Sequence, residues 1–588
     1  MKRKYCILSI IISAALLAGC LSACGESGTA TGGSSSDENT AATVTGGDAT
    51  TIALSGQSAT ATGTGAEVTD GVVTITAGGT YVVTGTMTEG RILVNAPKEE
   101  VTLVLQDASI TCSTGSPLYV YKSKATTLYL PEGTASTLTD GTDYTFSDSY
   151  SSAEEEEPNA CLYSKSDLVI AGSGSLTVNA NYNNGITGKD TLFIQKASVT
   201  VTAVNHGING KDSLTIKDAD ITVTSGGDAL RSTNDSDPTL GYLVITGSAL
   251  KLTAGEDGIQ AETTLTISGG TATVTTAGGA GQSISDDTSA KGFKAGTQVT
   301  VTGGTFQLNC CDDAIHSNGD VTISGGSFTI ATGDDGMHAD DTLSISSGTI
   351  DITRSYEGLE GAKVLISGGK ISIVASDDGI NAAGGSNQSG SGGFGFAPDA
   401  FGSSGDYLIR ISGGVVTVNA SGDGIDSNGD IEVTGGELYI SGPTSNGDGT
   451  IDCDGSATIT GGIVVAAGST GMAENFGTAS TQGCILVNLS GSAGQTITLK
   501  DSDGNILASF TPAKAFGCVV VSAPGVAQGG TYTIAAGGAS TAVTMESLIY
   551  GSGMGGFGGM GGGMGDPGNM GGGQQPPQGG VGGPGNRG

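Results

Sequence analysis

The sequence contains no tryptophan, and aromatic residues make up only 5% of the chain. Flat apolar platforms are therefore scarce, which disfavours tight recognition of flat crystalline polysaccharides. Basic residues are also few, because 23 lysines and arginines stand against 58 aspartates and glutamates. The formal net charge of -35 repels phosphate groups and argues against a nucleic-acid partner. A cationic partner, or a cation that acts as an intermediary, is compatible with this charge.

The cysteines show no CxxC spacing, and this absence argues against a zinc site. Two pairs, Cys112–Cys161 and Cys484–Cys518, are candidates for disulfides in an exported protein. An anaerobic host would leave them reduced, so the sequence leaves both states open. The other cysteines beyond residue 24 are Cys310, Cys311 and Cys453.

The N-terminal apolar run is short. Ile7–Leu17 falls below the about 20 residues that a membrane-spanning helix needs. It follows three basic residues at positions 2–4 and ends in "LAGC" and "LSAC", both similar to the lipobox of bacterial lipoproteins. We predict a lipoprotein signal peptide over residues 1–24, lipidation of Cys20 or Cys24, and anchoring to the extracellular face of the cell membrane through lipid alone. An ordinary cleaved signal is the alternative.

Two segments offer almost no side chains that a folded domain could bury. Residues 25–51 are rich in Gly, Ser and Thr, and they predict a flexible linker that spans on the order of 30 Å. Residues 549–588 are dominated by glycine and predict a disordered tail.

Between these segments the chain repeats itself about every 22 residues. Each repeat has two short apolar alternations around a glycine pair, as in "VTISGGSFTI", then acids, then a third short strand such as "GMHA". The residues that directly precede the third strand define the repeat and are Asn184, His206, Asp228, Asp257, Lys291, Asp313, Asp335, Glu357, Asp378, Asp423 and Asp448.

Three short strands per repeat predict an all-β fold, a right-handed parallel β-helix whose coils stack about 4.8 Å apart. Glycine pairs such as Gly325-Gly326 are expected at corners with positive φ. Left-handed hexapeptide helices, calcium-binding nonapeptide repeats and β-sandwiches do not have this period. We place an N-terminal β region with the first coils at 52–165, the helix repeats at 166–483 and a C-terminal β cap at 484–548.

Two inserts, Gly278–Ala290 and Gly384–Asp406, interrupt the repeat and are expected to leave the helix. The second insert carries Phe394, Phe396 and Phe401. Loops that leave a regular scaffold commonly shape a binding face. Solvated loops are the alternative.

Stacking of equal coils turns the acids of the repeat into columns. The acid column, which directly precedes the third strand, contains Asp313, Asp335, Glu357, Asp378, Asp423 and Asp448, and a second column contains Asp312, Asp334 and Asp377. Carboxylates about 5 Å apart repel by roughly 3 kcal/mol at an effective dielectric of 20. Ca²⁺ relieves this repulsion because it accepts six to eight oxygen ligands. We predict calcium between coils, held by these acids with Asp426 and Asp452; a solvated acidic turn with Asx hydrogen bonds is the alternative.

The third strand gives a further column of residues that point away from the coil interior. Its members are Thr187, Asn209, Arg231, Gln260, Lys294, His316, His338, Glu360, Asn381, Asp426 and Asp452. His316, His338 and Glu360 occupy adjacent coils and offer the donor set of a transition-metal site. An accidental run of histidines is the alternative.

Several stretches resemble a known family. These are "GTYVVTGTM", the segment Glu156–Ile186, the repeated "DDGI" coils, "DGNILASF" and the glycine-rich tail. They are similar to secreted bacterial carbohydrate-binding β-helix proteins, which bind cellulose and acidic glycans such as polygalacturonate, contain calcium and look like the pectate lyases of polysaccharide lyase family 9. The resemblance implies calcium at the acids before each "GI" pair.

These observations favour a non-catalytic, calcium-loaded lipoprotein that binds polysaccharide at the cell surface. The alternative is a calcium-dependent polysaccharide lyase, in which Lys291 or Lys294 serves as the base beside a metal that acidifies the α-proton of a uronate. Lys291 has a simpler interpretation, in which it neutralises Asp257 and Asp313. A purely structural adhesion protein differs from the first hypothesis only in its partner.

Overall fold

The computed structural model describes residues 49–285, 287–383 and 406–551. The predicted signal peptide, both lipidation cysteines, nearly all of the linker and the tail, and most of the insert at 384–406 lie outside these ranges. Every regular element within them is a β-strand, which confirms the all-β prediction. The described part of the chain has no helix long and apolar enough to cross a membrane.

Alternation of aliphatic and polar residues produces the strands. In Ser175–Ala180, with the sequence SLTVNA, Leu176 and Val178 are buried while the residues between them are half-buried. Branched side chains at alternate positions favour extended backbone and bury one face of each strand. The buried faces join into one core that runs from Ile52 to Val520.

The strands stack in three parallel ladders, numbered in coil order. Residues in register are about one repeat apart, as for Val199 beside Ile221 and Phe306 beside Phe328. Ladder 1 contains Ala125–Leu130, Asp167–Gly172, Thr191–Gln195, Ser213–Lys217, Tyr242–Thr246, Asp320–Ile323, Leu408–Ile411, Asp430–Val433 and Ala457–Ile459. Ladder 2 contains Ala135–Asp140, Ser175–Ala180, Ser198–Ala203, Asp220–Ser225, Ala249–Ala254, Ser327–Thr332, Thr349–Ser355, Lys370–Ala375, Val415–Ala420, Glu437–Ser441 and Ile463–Gly468.

Ladder 3 is built from the third strands of the repeat. Its members are Arg91–Asn95, Leu118–Lys122, Ala160–Ser164, Asn184–Gly188, Ile208–Gly210, Leu230–Ser232, Ile259–Ala261, Phe293–Ala295, Ile315–Ser317, Ile380–Ala382, Ile425–Ser427 and Ile451–Cys453. Some strands continue around a corner: Glu100–Cys112, Thr264–Thr276 and Gln298–Cys310 join ladders 1 and 2, while Met337–Ile345 and Leu359–Ile366 join ladders 3 and 1.

Both ends of the stack use antiparallel pairing. At the start, Ser58–Thr62 pairs antiparallel with Thr50–Gly56, and Ala66–Thr69 pairs antiparallel with Val72–Ile75, while Gly79–Met87 continues the parallel stack. At the end, Phe516–Ser522 pairs antiparallel with Ile463–Gly468 and with Cys484–Gly491, which also pairs with Ile549–Tyr550. A separate antiparallel sheet contains Ile497–Lys500, Ile506–Phe510, Thr531–Ala536 and Ala539–Thr544.

The predicted linker and tail are each slightly shorter than the sequence suggested. A strand already begins at Thr50, and Ile549–Tyr550 is paired rather than part of the tail. The seven cysteines of the described residues are free thiols, so neither candidate disulfide is formed.

Glycines let the coils approach closely. In the glycine pairs the second residue has positive φ, as predicted; Gly326, for example, has a φ of 104°. The glycine after each acid has a different role. A Cβ added to Gly336 would lie 2.4 Å from the carbonyl oxygen of Gly358 and 2.5 Å from Cδ1 of Ile352. The glycine of the "DDG" motif is therefore required by contact with the next coil.

A buried carboxylate ties two early coils together. Glu157 is buried, and its two oxygens accept from Lys165 Nζ at 2.6 Å and from Lys189 Nζ at 2.7 Å. Burial alone would raise the pKa of Glu157, but the hydrogen bonds from the two lysines lower it to about 2. Its charged form therefore stabilises the fold above the ordinary carboxyl pKa, and this contribution is lost as the pH falls toward 2.

We expect Glu157→Gln to lower the free energy of unfolding by about 3 kcal/mol at pH 7, since the change leaves two ammonium groups without their buried partner. The difference from the wild type should shrink between pH 4 and pH 2. Thermal unfolding followed by circular dichroism measures both effects. Glu155→Gln, an exposed change in the same segment, is the control. Equal melting of Glu157→Gln and wild type at pH 7 would contradict this role.

Candidate functional site

The acid column is continuous along one edge of the stack. The backbone N–H that follows each acid donates to the carbonyl of the acid in the next coil: Ala314 to Asp335 at 3.0 Å, Gly336 to Glu357 at 3.0 Å, Gly358 to Asp378 at 3.0 Å and Gly379 to Asp423 at 2.9 Å. These bonds hold the acids directly above one another.

Asp448 does not occupy the position that the sequence predicted. Gly424 N–H donates to the carbonyl of Gly449 at 3.1 Å, and Asp426 is in register with Asp452. The last turn contains one extra residue before its third strand, so Gly449 takes the place in the acid column. Asp448 precedes that place by one residue.

The second column is interrupted by an aromatic residue. Tyr356 N–H donates to Asp334 O at 2.8 Å, and Asp377 N–H donates to Tyr356 O at 3.0 Å. Asp334 and Asp377 therefore lie on either side of Tyr356 rather than next to one another. The third-strand column runs in register as drawn from the sequence, including His316 beside His338 and His338 beside Glu360.

Most carboxylates of the acid column also accept a hydrogen bond from the backbone of the next coil, whereas Glu357 accepts one from the side chain of Asn381. The backbone donor is the N–H of the residue at the same place in the following coil. The bonds run from Asp257 to Asp228 (3.0 Å), from Lys291 to Asp257 (2.8 Å), from Asp335 to Asp313 (3.1 Å), from Glu357 to Asp335 (3.3 Å) and from Asp423 to Asp378 (2.6 Å). Asp228, Asp257, Asp313 and Asp335 are buried. The alternative of a solvated acidic turn with Asx hydrogen bonds is therefore right about the hydrogen bonds. It is wrong about solvation for these four aspartates, because their side chains are buried.

In the early coils, the chain supplies its own cations. Asp228 accepts from Arg231 at 3.2 Å, and Asp257 accepts from Lys294 at 3.0 Å. Lys291 Nζ lies 2.8 Å from Asp312 and 2.6 Å from Asp313. The prediction that Lys291 neutralises Asp257 and Asp313 was wrong for Asp257, whose partner is Lys294.

The contacts of Lys291 also bear on the lyase hypothesis. Burial lowers the pKa of its ammonium, but the carboxylates of Asp313 and Asp312 outweigh burial and raise it above the ordinary lysine value. A lysine held in its charged form has no lone pair with which to take a proton. Lys294 is bonded to Asp257 and to Ser289 Oγ at 2.9 Å.

The two histidines lie against each other with ring centroids 4.8 Å apart. His316 Nδ1 lies 2.8 Å from Asp313, and His338 Nδ1 lies 3.2 Å from Asp335 and 2.5 Å from Glu360. Burial lowers the pKa of His338, yet hydrogen bonds to Asp335 and Glu360 raise it to about 11. With these carboxylates as its partners, His338 carries positive charge at neutral pH and acts as a cation among them.

From Glu357 onward, the acids of the column are no longer neutralised by cationic side chains. Among the described residues, no lysine, arginine or histidine forms an ion pair with Glu357, Asp378 or Asp423. Burial and neighbouring carboxylates raise the pKa of Glu357 to about 9, of Asp378 to about 7 and of Asp423 to about 8. These acids are close together, since oxygens of Asp378, Asp423 and Asp426 lie within 4.8 Å of one another.

Asn381 adds a neutral oxygen to this cluster. Its side chain is in register with Glu360 and Asp426, and it is only 8% exposed. Nδ2 donates to Glu357 Oε2 at 3.0 Å, while Oδ1 is buried without a hydrogen-bond partner. A buried amide oxygen that lacks a donor is costly unless something else satisfies it. We call Glu357, Asp378, Asn381, Asp423 and Asp426 the late acidic cluster.

Sequence reasoning placed Asn381 in the third-strand column but did not count it as a ligand. Its spacing could have indicated this role, because Asn381 follows Asp378 by three residues. His316 follows Asp313, and His338 follows Asp335, by the same interval, and both histidines contact the acid of their own coil.

Comparison with known proteins gives three matches. The family model for a carbohydrate-binding domain-containing protein matches residues 69–336. A carbohydrate-binding domain-containing protein of Acetivibrio thermocellus is 43% identical over 196 residues, which cover 33% of this chain and 67% of that protein. A solved structure of a polysaccharide lyase-like protein from C. thermocellum, a gadolinium derivative, is 34% identical with a TM-score of 0.37 and covers 39% of this chain and 92% of that chain.

Proposed function

This chain belongs to the family of carbohydrate-binding domain-containing proteins, and from that premise we propose that it binds polysaccharide without catalysis through a calcium-loaded scaffold. We further propose that its stacked parallel ladders form a right-handed β-helix with a β cap at each end. The observation that carries the calcium proposal is the buried, unpartnered Oδ1 of Asn381 among carboxylates.

The late acidic cluster fits calcium by the chemistry of its donors. Carboxylate and amide oxygens are the ligands that this hard cation prefers. An ion held by Asp378, Asp423 and Asn381, with Glu357, Asp377, Asp426 and Asp452 nearby, would offset repulsion of roughly 3 kcal/mol per close pair. When bound, calcium would supply positive charge that can bridge protein carboxylates to those of a polysaccharide.

The earlier acids have partners that take the place of a metal. Asp312 and Asp313 bind Lys291, and Asp335 binds His338. We therefore propose that calcium binding is confined to the coils from Glu357 to Asp452 rather than spread along the whole column. Of the other acids predicted as ligands, Asp448 lies in the last turn beside this cluster, whereas Asp334 lies with Asp312 and Asp313, whose oxygens are within 4.8 Å of its own.

We expect purified protein to contain calcium and to melt at a lower temperature after chelation. Sites filled at 100 times their dissociation constant stabilise by about 2.7 kcal/mol each. Asn381→Ala and Asp423→Asn should lower the calcium content measured by elemental analysis. Asp257→Asn is the matched control, because Asp257 occupies the same column but is paired with Lys294. A melting temperature indifferent to chelator and calcium would contradict the proposal.

An acidic plant or microbial polysaccharide is the partner that suits this scaffold. The long ladders present polar residues to an extended chain, and calcium can join two sets of carboxylates that would otherwise repel one another. The contacts that hold Lys291 in its charged form count against the lyase alternative.

We expect polygalacturonate to be retained by the protein with calcium and released by chelator in a pull-down assay. No absorbance of unsaturated uronates should develop with uronan substrates. Retention that chelator does not change would refute calcium bridging, and a rising absorbance would favour the lyase.

We also propose that lipid on Cys20 or Cys24 anchors the protein to the outer face of the cell membrane. This proposal rests on the sequence of residues 1–24. The double change Cys20→Ala, Cys24→Ala should move the protein from the membrane fraction to the medium, as detected by immunoblotting. Retention in the membrane fraction would place the anchor elsewhere.

A further inference from the structure

Arg354 is an exposed cation beside the acidic edge of the stack. Of the other basic residues along this edge, Arg231, Lys291 and Lys294 are paired with carboxylates. Within the described ranges, the side chain of Arg354 has no ion pair and no hydrogen bond, and it is exposed. An unpaired guanidinium is a ready donor for a carboxylate or sulfate brought by a ligand.

A β-bulge displays this residue. Ile352 is in register with Ile330 of the previous coil and Ile373 of the next, but Ser355 is in register with Ala375. The strand Thr349–Ser355 therefore contains one residue more than its neighbour in the following coil. Such bulges commonly re-aim a side chain out of the sheet.

Tyr356 lies on the same side as Arg354. The two residues flank buried Ser355, and Tyr356 is 47% exposed in a chain that has few aromatic residues. Hydrogen bonding to Asp377, together with burial, raises the pKa of the Tyr356 phenol. Asp377 immediately precedes Asp378 of the late acidic cluster.

The insert Gly278–Ala290 comes close to Arg354 at Gly281. A Cβ added to Gly281 would lie 3.9 Å from Nη1 of Arg354. The insert is fixed by Ala280 N–H, which donates to Asn309 Oδ1 at 2.9 Å, and Asn309 is two coils before Arg354 in ladder 2. The guanidinium of Arg354 therefore lies beside the insert, two residues before Tyr356 in the chain.

We propose that Arg354 and Tyr356 form a subsite for one uronate residue of the polysaccharide. This inference rests on the proposed function, because it names the contacts that the bound chain would make. The guanidinium pairs with the uronate carboxylate in the two-pronged manner that suits its planar fork. The Tyr356 ring packs against the apolar face of the sugar, since an aromatic ring offers a flat apolar surface with a polar group at its edge. Charge complementarity favours a uronate as the ligand, because its carboxylate would be repelled by the acidic surface everywhere except beside the guanidinium of Arg354.

The test measures binding of polygalacturonate and of its methyl-esterified, uncharged form in the presence of calcium. Arg354→Gln should weaken binding of the charged polymer at least tenfold and leave binding of the esterified polymer nearly unchanged. Tyr356→Ala should weaken binding of both polymers, and Tyr356→Phe should retain most of it. Lys370→Gln is the control, because it removes an exposed positive charge from the next strand of ladder 2.

Calcium content and circular dichroism of each variant show whether a loss acts through the metal or the fold. Wild-type binding that Arg354→Gln leaves intact would overturn the subsite alone. Loss of binding in Lys370→Gln equal to that in Arg354→Gln would also overturn it, because general charge would then explain the effect. Failure of wild-type protein to bind polygalacturonate with calcium would overturn the proposed function and the subsite together.

Discussion

Parallel stacking places each residue of a coil directly above its counterpart, about 4.8 Å away. Every charge that recurs in the sequence therefore recurs in space, and the chain must compensate for it at each level. The carboxylates of the aspartates in the acid column meet this requirement first through backbone N–H groups of the following coil, at Asp228, Asp257, Asp313, Asp335, Asp378 and Asp423. Those bonds satisfy one oxygen of each acid but leave its charge, so a cation is still needed.

The source of that cation changes along the stack. Arg231, Lys294, Lys291 and His338 serve the coils up to Asp335, and each reaches an acid of its own coil or a neighbouring one. No such side chain serves Glu357, Asp378 or Asp423 within the described ranges. One fold thus contains a segment that supplies its own cations and a segment that lacks them, and burial raises carboxyl pKa values in both, at Asp334 and Asp335 as well as at Glu357, Asp378 and Asp423.

The sequence predicted the positions of residues along the ladders better than it predicted which side chains contact one another. Strict spacing was enough to align His316, His338 and Glu360, because ladder register follows from equal coil length. Asp448 was misplaced since one extra residue in its turn leaves the hydrophobic period almost unchanged. Lys291 and Asn381 could not be assigned from spacing, because a long side chain can reach several acids and an amide oxygen shows its lack of a partner only in three dimensions. Tyr356 was overlooked because it replaces an acid within an otherwise acidic column.

The antiparallel strands at the two ends affect how readily one molecule associates with another. An open parallel ladder would present unpaired N–H and C=O groups and could template the addition of another chain. Phe516–Ser522 pairs with the final strand of ladder 2 in the opposite direction, and Ser58–Thr62 does the same to Thr50–Gly56. Reversal of strand direction at these two places ends the parallel pairing that a second molecule would have to continue. The end of ladder 2 and the first strand of the stack are thereby disfavoured as templates for end-to-end growth into fibrils.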